Sequence, residues 1–175
     1  MRDKIFQWEL IGTVVIFLLG SGFHFLFQSL GNNPVAGVFF PVNESVFEHL
    51  KLTFWPTLLW AVFSYGFIKS SVNNFITAKA CAVLVMPLLT VALFYAYTSF
   101  IEDNVIADIL IFLVAVASGQ YVNYLFLKSS QLPKWLSGVS ACMILVLAII
   151  YTIFTFFPPY TSFFMDSNTG NYGIP

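Results

Sequence analysis

Charged side chains are scarce in this sequence. Its 175 residues include 7 Lys and Arg and 8 Asp and Glu, whereas 59% of the residues are hydrophobic and 19% are aromatic. A soluble domain of average composition carries about 25% charged residues, which cover its surface. The chain therefore lacks the charge to face water on all sides. It is predicted to be an all-α integral membrane protein, with the lipid bilayer covering most of its surface.

Cysteine and the short motifs of common enzymes are also scarce. The two cysteines, Cys81 and Cys142, lie in apolar runs and are interpreted as packing residues, which excludes a disulfide framework. Neither a glycine-rich phosphate loop nor a G-x-S-x-G or H-E-x-x-H motif occurs. A net charge of −1 without a basic cluster argues against a nucleic-acid partner.

Long apolar runs are abundant. A helix needs about 20 apolar residues to cross the hydrocarbon core of a bilayer, and five such runs occur. They predict a five-transmembrane-helix bundle that forms a single domain, residues 1–175. The predicted spans are residues 8–30, 50–68, 77–100, 105–127 and 135–157. Pro158 and Pro159 end the last helix, and the tail, residues 158–175, is expected outside the membrane.

The distribution of cations predicts the orientation. Six fall at the N-terminus or in the loops on one side of the membrane: Arg2, Lys4, Lys69, Lys79, Lys128 and Lys134. The loops on the other side carry Glu44, Glu48, Glu102 and Asp103, with Lys51 as their cation. The positive-inside rule then places the N-terminus in the cytoplasm and the C-terminus on the extracytoplasmic side.

The inner half of the bundle is expected to hold no ionisable group within a span. Gln120, Asn123 and Tyr124 lie near the inner interface. They are interpreted as residues of helix packing and of the aromatic belt.

Polar residues gather instead near the outer side, above all in the stretch "PVNESVFEHLKLTFWP", residues 41–56. If a helix starts at Asn43 or Ser45, Glu44 and Glu48 share one face, and Ser45 and His49 share the next. His24 and Gln28 lie on one face of the first span, above a "GSG" segment suited to close helix contact. Asp108 begins the fourth span at about the same depth. An ionisable group in a membrane span normally faces the bundle interior and indicates function.

These residues form the predicted site. The residues that would hold a divalent metal ion such as zinc or manganese are His24, Glu44, Glu48 and His49. The candidate catalytic residues are Glu48, His49 and Asp108, and the candidate ligand-binding residues are Asn43, Glu44, Ser45 and Gln28. A structural alternative stays open, because Ser45 and Glu48 also fit a capping box and His49 also fits an interfacial hydrogen bond.

Two segments carry a resemblance to known proteins. "NPVAGVFFPVNESVFEHLK" and "PPYTSFFMDSNTGNYGI" resemble a family of small multi-pass bacterial membrane proteins of unknown function. The resemblance includes Asn33, Pro34, Gly37, Pro41 and the polar residues 43–51, and in the tail Asp166, Thr169, Gly170, Tyr172 and Gly173. It implies a location in the bacterial cytoplasmic membrane and an acidic residue at the position of Gln28. It implies no activity, cofactor or partner.

Three functions remain open from the sequence. The first is binding of a metal ion or a small or lipid ligand in the polar pocket, where a metal-bound water would allow hydrolysis. The second is ion or solute transport, for which five spans would require a homo-oligomer. The third is a non-catalytic accessory or assembly module. Whether the protein is an enzyme is left undecided.

Overall fold

The computed structural model describes residues 3–175, and its regular secondary structure is helical. In chain order the elements are α1 (Lys4–Phe23), α2 (Leu26–Ser29), α3 (Pro34–Gly37), α4 (Val46–His49), α5 (Lys51–Ile68), a 3₁₀ turn (Lys69–Ser71), α6 (Phe75–Thr98), α7 (Val105–Lys128) and α8 (Lys134–Phe156). An isolated antiparallel bridge joins Met165 to Tyr172 in the tail. The predicted all-α class is confirmed for the described residues.

Four segments are long and apolar enough to cross a membrane: Lys4–Ser29, which combines α1 and α2, and the helices α6, α7 and α8. They confirm four of the five predicted spans. The predicted second span, α5, has 18 residues and includes the buried polar side chains of Lys51, Thr53, Thr57 and Ser64. More than half of α5 is buried, whereas α8 has three buried residues. These polar side chains lie on the buried face of α5, where protein surrounds them.

The helices pack around α1, α5 and α6. α1 contacts α5 and α7, and α6 contacts α5, α7 and α8. A hydrophobic cluster joins four helices through Ile16, Trp60, Ala82, Met86 and Val116. Large apolar side chains cover the outside of the bundle; Val62, for example, is 80% exposed. A bilayer would cover such a surface, which would be unfavourable in water.

Gly20 allows the close approach of α1 and α5. A Cβ atom at Gly20 would lie 2.5 Å from the carbonyl oxygen of Leu52, which is backbone and cannot rotate away. At Gly22 a Cβ would meet nothing within 4 Å. The "GSG" segment was predicted to allow close helix contact. Of its two glycines, Gly20 is the one that lies against α5.

Exposed lysines mark one end of the bundle, here called the inner end; the opposite end is the outer end. Lys4, Lys69, Lys128 and Lys134 are all exposed there, and Arg2 lies outside the described residues. The prediction that Lys79 is a loop cation is wrong. Because α6 begins at Phe75, Lys79 already lies in its second turn, where its side chain is buried.

Candidate functional site

Short capped segments return the chain from α1 to α5 at the outer end. The Asn33 side chain caps α3 by accepting a hydrogen bond from the N–H of Val35, at 2.9 Å. Ser45 caps α4 by accepting from the N–H of Glu48, at 3.3 Å, and Asn43 accepts from the N–H of Ser45, at 3.0 Å. The predicted capping role of Ser45 is thus present. Asn43 and Ser45, two of the candidate ligand-binding residues, use their side-chain oxygens to hold this backbone.

The Glu48 carboxylate is turned into the bundle. It pairs with the Lys51 ammonium at 2.6 Å and accepts hydrogen bonds from the N–H of Val42, at 2.9 Å, and the hydroxyl of Thr155, at 2.8 Å. Lys51 also donates to the carbonyl oxygen of Gly37 and to Thr155. Both carboxylate oxygens of Glu48 are occupied by these partners. The structure therefore does not bring Glu48 to the other predicted metal ligands.

His24, Glu44 and His49 do come together, and we call these three residues the outer cluster. The His49 Nε2 atom lies 3.2 Å from one Glu44 carboxylate oxygen, and the His24 Nε2 atom lies 3.8 Å from the other. The two imidazole rings are 5.2 Å apart between centroids. The side chains are 29–35% exposed, so the cluster is open to small molecules at the outer end.

Hydrogen bonds set the protonation of this cluster. Burial lowers the pKa of His49, but its hydrogen bond to Glu44, its bond to the Ser45 carbonyl and the charges of Glu44 and Asp108 outweigh this effect, and the pKa is raised above its usual value. The hydrogen bond from His49 lowers the pKa of Glu44 against the opposing effect of burial. Both shifts favour the charged forms, the imidazolium of His49 and the carboxylate of Glu44.

Asp108 and Gln28 are the remaining residues of the predicted site. Asp108 accepts a hydrogen bond from the Tyr97 hydroxyl at 2.7 Å, and Tyr97 also contacts Asp103. Asp108 is close enough for its charge to act on His49 without being among the three clustered residues. Gln28 is exposed on α2. Asp108 is therefore not a member of the outer cluster.

The tail holds the segment that presents Glu44 and His49. Asn43 donates to the Gly173 carbonyl at 2.9 Å, and the Phe47 N–H donates to the Phe163 carbonyl at 3.1 Å. The Glu44 N–H donates to the Asp166 carboxylate at 3.3 Å. A turn at Asp166–Gly170 completes the contact, as the turn residues of "DSNTGNYG" predict. The tail therefore fixes the position of the segment that carries Glu44 and His49.

Acid is expected to release the tail. Burial raises the pKa of Asp166, but hydrogen bonds from Thr169, the Asn168 N–H and the Glu44 N–H outweigh this effect and lower it. A carboxyl group whose pKa is lower in the folded state stabilises the fold above its unfolded pKa and loses this contribution as the pH falls through the folded pKa. Hydrogen exchange at the tail amides, corrected for intrinsic rates, should therefore show less protection at acidic pH. In Asp166→Asn the protection should be weaker at neutral pH and almost independent of pH. Equal pH dependence in both proteins would contradict this role.

A second group of polar side chains lies in the inner half of the bundle. Glu9 of α1 accepts hydrogen bonds from the side-chain amides of Gln120, at 2.8 Å, and Asn123, at 2.5 Å, and lies 3.5 Å from the Lys79 ammonium. The Trp60 indole nitrogen approaches the same place beside Gly12. We call Glu9, Trp60, Lys79, Gln120 and Asn123 the inner cluster.

The inner cluster overturns the expectation that the inner half holds no ionisable group within a span. Glu9 is 3% exposed and Lys79 is 1% exposed. Each is a single charge inside an apolar run, in "FQWELIG" and "TAKACAV", and that signal was available in the sequence. Gln120 and Asn123 were expected to take part in helix packing. They do so by donating side-chain hydrogen bonds from α7 to Glu9 of α1.

Comparison with known proteins places the chain in a family. A family model described as "Family of unknown function (DUF6512)" matches residues 1–174. The chain belongs to the DUF6512 family. The DUF6512 match covers α1 through α8, so both clusters lie within the family domain. No curated protein and no solved structure matches the chain.

Proposed function

We propose that this protein is an integral membrane protein that binds one divalent metal ion, zinc or manganese, through the outer cluster. The observation that supports this most is the convergence of two imidazole Nε2 atoms on one carboxylate. Ligand atoms of His24, Glu44 and His49 all lie within 4.8 Å of one another. Tetrahedral zinc, with bonds of about 2.0–2.2 Å, needs its ligand atoms roughly 3.3–3.5 Å apart. Small rotations of these partly exposed side chains would close that difference.

The surroundings of His49 favour ligation. Its Nδ1 atom lies 2.8 Å from the Ser45 carbonyl oxygen, which can only accept, so Nδ1 carries a proton. In the neutral ring the Nε2 lone pair is then free to face a metal. Metal-bound histidines usually donate from the second nitrogen in this way. Two histidines and one carboxylate leave a fourth position for water or a ligand group.

The membrane arrangement that we propose has five crossings. α5 is the fifth crossing helix: its neighbours bury the face that carries its polar side chains, and its exposed apolar side, which includes Val62, would face lipid. The exposed lysines at the inner end support a cytoplasmic N-terminus, and the outer cluster then opens on the extracytoplasmic side of the cell membrane. The bilayer would cover the apolar side chains that are exposed around the bundle.

Metal content and affinity test the proposal. Protein purified in mild detergent is expected to bind one zinc or manganese ion per chain. Affinity should fall at least about tenfold in His24→Ala, in Glu44→Gln and in His49→Ala, since even residues that only support a metal ligand contribute about 10–100-fold. The affinity should also fall as the pH drops below the raised pKa of His49, because a proton on Nε2 competes with the metal. Mass spectrometry of the metal measures the metal content per chain, and isothermal titration calorimetry measures the affinity at each pH.

The matched control is Glu102→Gln. Glu102 is an exposed carboxylate in the loop between α6 and α7 and lies apart from the cluster, so its removal should leave affinity unchanged. Equal losses in Glu102→Gln and Glu44→Gln would indicate non-specific adsorption to surface carboxylates. A folded wild-type protein that binds neither metal would exclude the proposal.

A further inference from the structure

The two buried Lys–Glu pairs, Lys51–Glu48 and Lys79–Glu9, differ in how many hydrogen-bond partners the lysine has. Lys51 has three acceptors for its three N–H groups: Gly37, Glu48 and Thr155. Lys79 has one oxygen partner, Glu9, at 3.5 Å, which exceeds the usual length of an N–H···O hydrogen bond, and its ammonium also lies 5.3 Å from the centroid of the Phe75 ring. Both lysines are 0–1% exposed. Burial is therefore the same, and the difference lies in the partners.

Unpaired polar atoms are concentrated in the inner cluster. Among the described residues, six buried side-chain atoms have no hydrogen-bond partner, and five of them belong here: Glu9 Oε1, Trp60 Nε1, Lys79 Nζ, Gln120 Oε1 and Asn123 Oδ1. They come from four helices, α1, α5, α6 and α7. A buried polar atom without a partner destabilises the fold, because it has lost its hydrogen bonds to water and gained none. Five in one place indicate that the cluster binds something small and polar.

The Glu9 carboxylate determines which amide atoms are unpaired. Its Oε2 atom accepts from the amide nitrogens of Gln120 and Asn123. An ionised carboxylate can only accept, so both amides must turn their nitrogens toward it and leave their oxygens free. Because an amide oxygen lies about 2.3 Å from its own nitrogen, all three unpaired oxygens lie within roughly 5 Å of Glu9 Oε2.

The balance of donors and acceptors selects the ligand. Lys79 and Trp60 offer unpaired donors, whereas Glu9, Gln120 and Asn123 offer unpaired acceptor oxygens. A metal cation would satisfy the oxygens but would lie beside the ammonium group, and an anion would lie beside the carboxylate. Water both donates and accepts, and buried water typically makes about three hydrogen bonds to such groups. Water is therefore the ligand class that suits the whole cluster.

We propose that the inner cluster is a hydrated proton-binding site, at which Glu9 takes up a proton from bound water. One O–H bond of the water breaks, a new O–H bond forms on Glu9 Oε1, and the water is reprotonated from the inner aqueous side. The carboxyl O–H then has an acceptor in either amide, because rotation of Gln120 or Asn123 presents an oxygen. The net charge of the cluster rises from zero to +1, which weakens the Glu9–Lys79 contact between α1 and α6.

The groups around Glu9 allow this step. Lys79 of α6 is the charged group that faces it, α7 contributes the neutral amides, and α5 contributes the neutral Trp60. Toward the inner end, Asp3 accepts from the Tyr124 hydroxyl at 2.9 Å and pairs with Lys128 at 3.2 Å. Asp3 and Lys128 are 31% and 48% exposed, so water reaches the inner ends of α1 and α7, from which a proton can enter. Ion transport across the bundle would need an ionisable group in its inner half, and Glu9 is such a group.

Infrared spectroscopy tests the proposal on metal-free protein in lipid, independently of the outer cluster. During a pH titration, the wild type should show the C=O stretch of a protonated carboxyl group. Eight Asp and Glu side chains can contribute such bands, so the Glu9 band is isolated as the difference between the wild type and Glu9→Gln. It should appear in this difference spectrum, be retained in Asp108→Asn, and shift within minutes in heavy water because the site is hydrated. A difference spectrum without this band, or a band that fails to shift in heavy water, would overturn the proposal. So would a wild type in which no such band appears.

A second measurement covers the case in which Glu9→Gln does not fold. Glu9→Gln/Lys79→Met removes both charges together and leaves no unpaired buried ion. The wild-type fluorescence of Trp60, isolated as the difference from Trp60→Phe, should change with pH, and this change should be lost in the double variant. A pH response that is equal with and without the two charges would contradict proton binding at Glu9.

Discussion

Lys51→Met is expected to destabilise the protein by about 3–5 kcal/mol, the usual effect of removing one partner from a buried ion pair. Lys51 is fully buried, and its ammonium bridges Glu48, Gly37 and Thr155. Its removal leaves the Glu48 carboxylate without a counter-charge inside the bundle, while methionine keeps most of the side-chain volume. The free energy of unfolding in mixed micelles of mild and denaturing detergent measures the effect.

Two comparisons isolate the cause. Glu48→Gln/Lys51→Met removes both charges and should be more stable than Lys51→Met, because no ion remains unpaired. Lys128→Met breaks the half-exposed pair with Asp3 and should change stability little, since water solvates the carboxylate that is left. If the single and double variants were equally unstable, lost packing and not the unpaired charge would be responsible.

Gly20→Ala is expected to destabilise the protein by about 1–3 kcal/mol, the range of overpacking in a well-packed core. The new methyl group would lie 2.5 Å from the Leu52 carbonyl oxygen and equally close to the Phe112 ring. Phe112 can rotate, but the carbonyl belongs to the first turn of α5, so the two helices must separate. The same denaturation experiment measures the loss.

Gly22→Ala is the matched control on the same helix. It lies two residues further along α1, and a Cβ there meets nothing within 4 Å. Alanine should be neutral or slightly stabilising at this position, because it favours helix by about 1 kcal/mol over glycine. Similar losses in both variants would mean that glycine flexibility, and not the α1–α5 contact, matters at residues 20–22.

Local patterns were sufficient to predict the long helices of the fold, though not the short helix α3 or the separation of α1 from α2. Apolar runs of helical length predicted α1, α6, α7 and α8, because a span is defined by length and composition alone. The polar stretch 41–56 was located at the start of α5, and the capping role of Ser45 followed from its spacing to Glu48. The turn chemistry of the tail was equally local, since the Asp166 and Thr169 side chains accept hydrogen bonds from backbone N–H groups two residues further along the chain.

The assignment of Glu44 and Glu48 required the tertiary structure. Their spacing of four suggested one shared helical face, but α4 begins at Val46 with Ser45 as its cap, so Glu44 lies outside the helix. Glu44 therefore joins His24 and His49, whereas Glu48 turns toward Lys51 and Thr155. A difference of one or two residues in a helix start decides this, and sequence patterns do not define helix ends that closely.

Sequence patterns were enough to predict a bundle of apolar helices and to locate one of its groups of polar residues, in the stretch 41–56. Tertiary structure alone decided which of them meet. Glu9 meets Gln120 and Asn123 across more than 100 residues, and Lys79 from a third helix. The physical reason is that an apolar run specifies that a helix crosses, whereas the rotation of each helix about its axis follows from packing against its neighbours. That rotation brings four helices' polar atoms to one buried point.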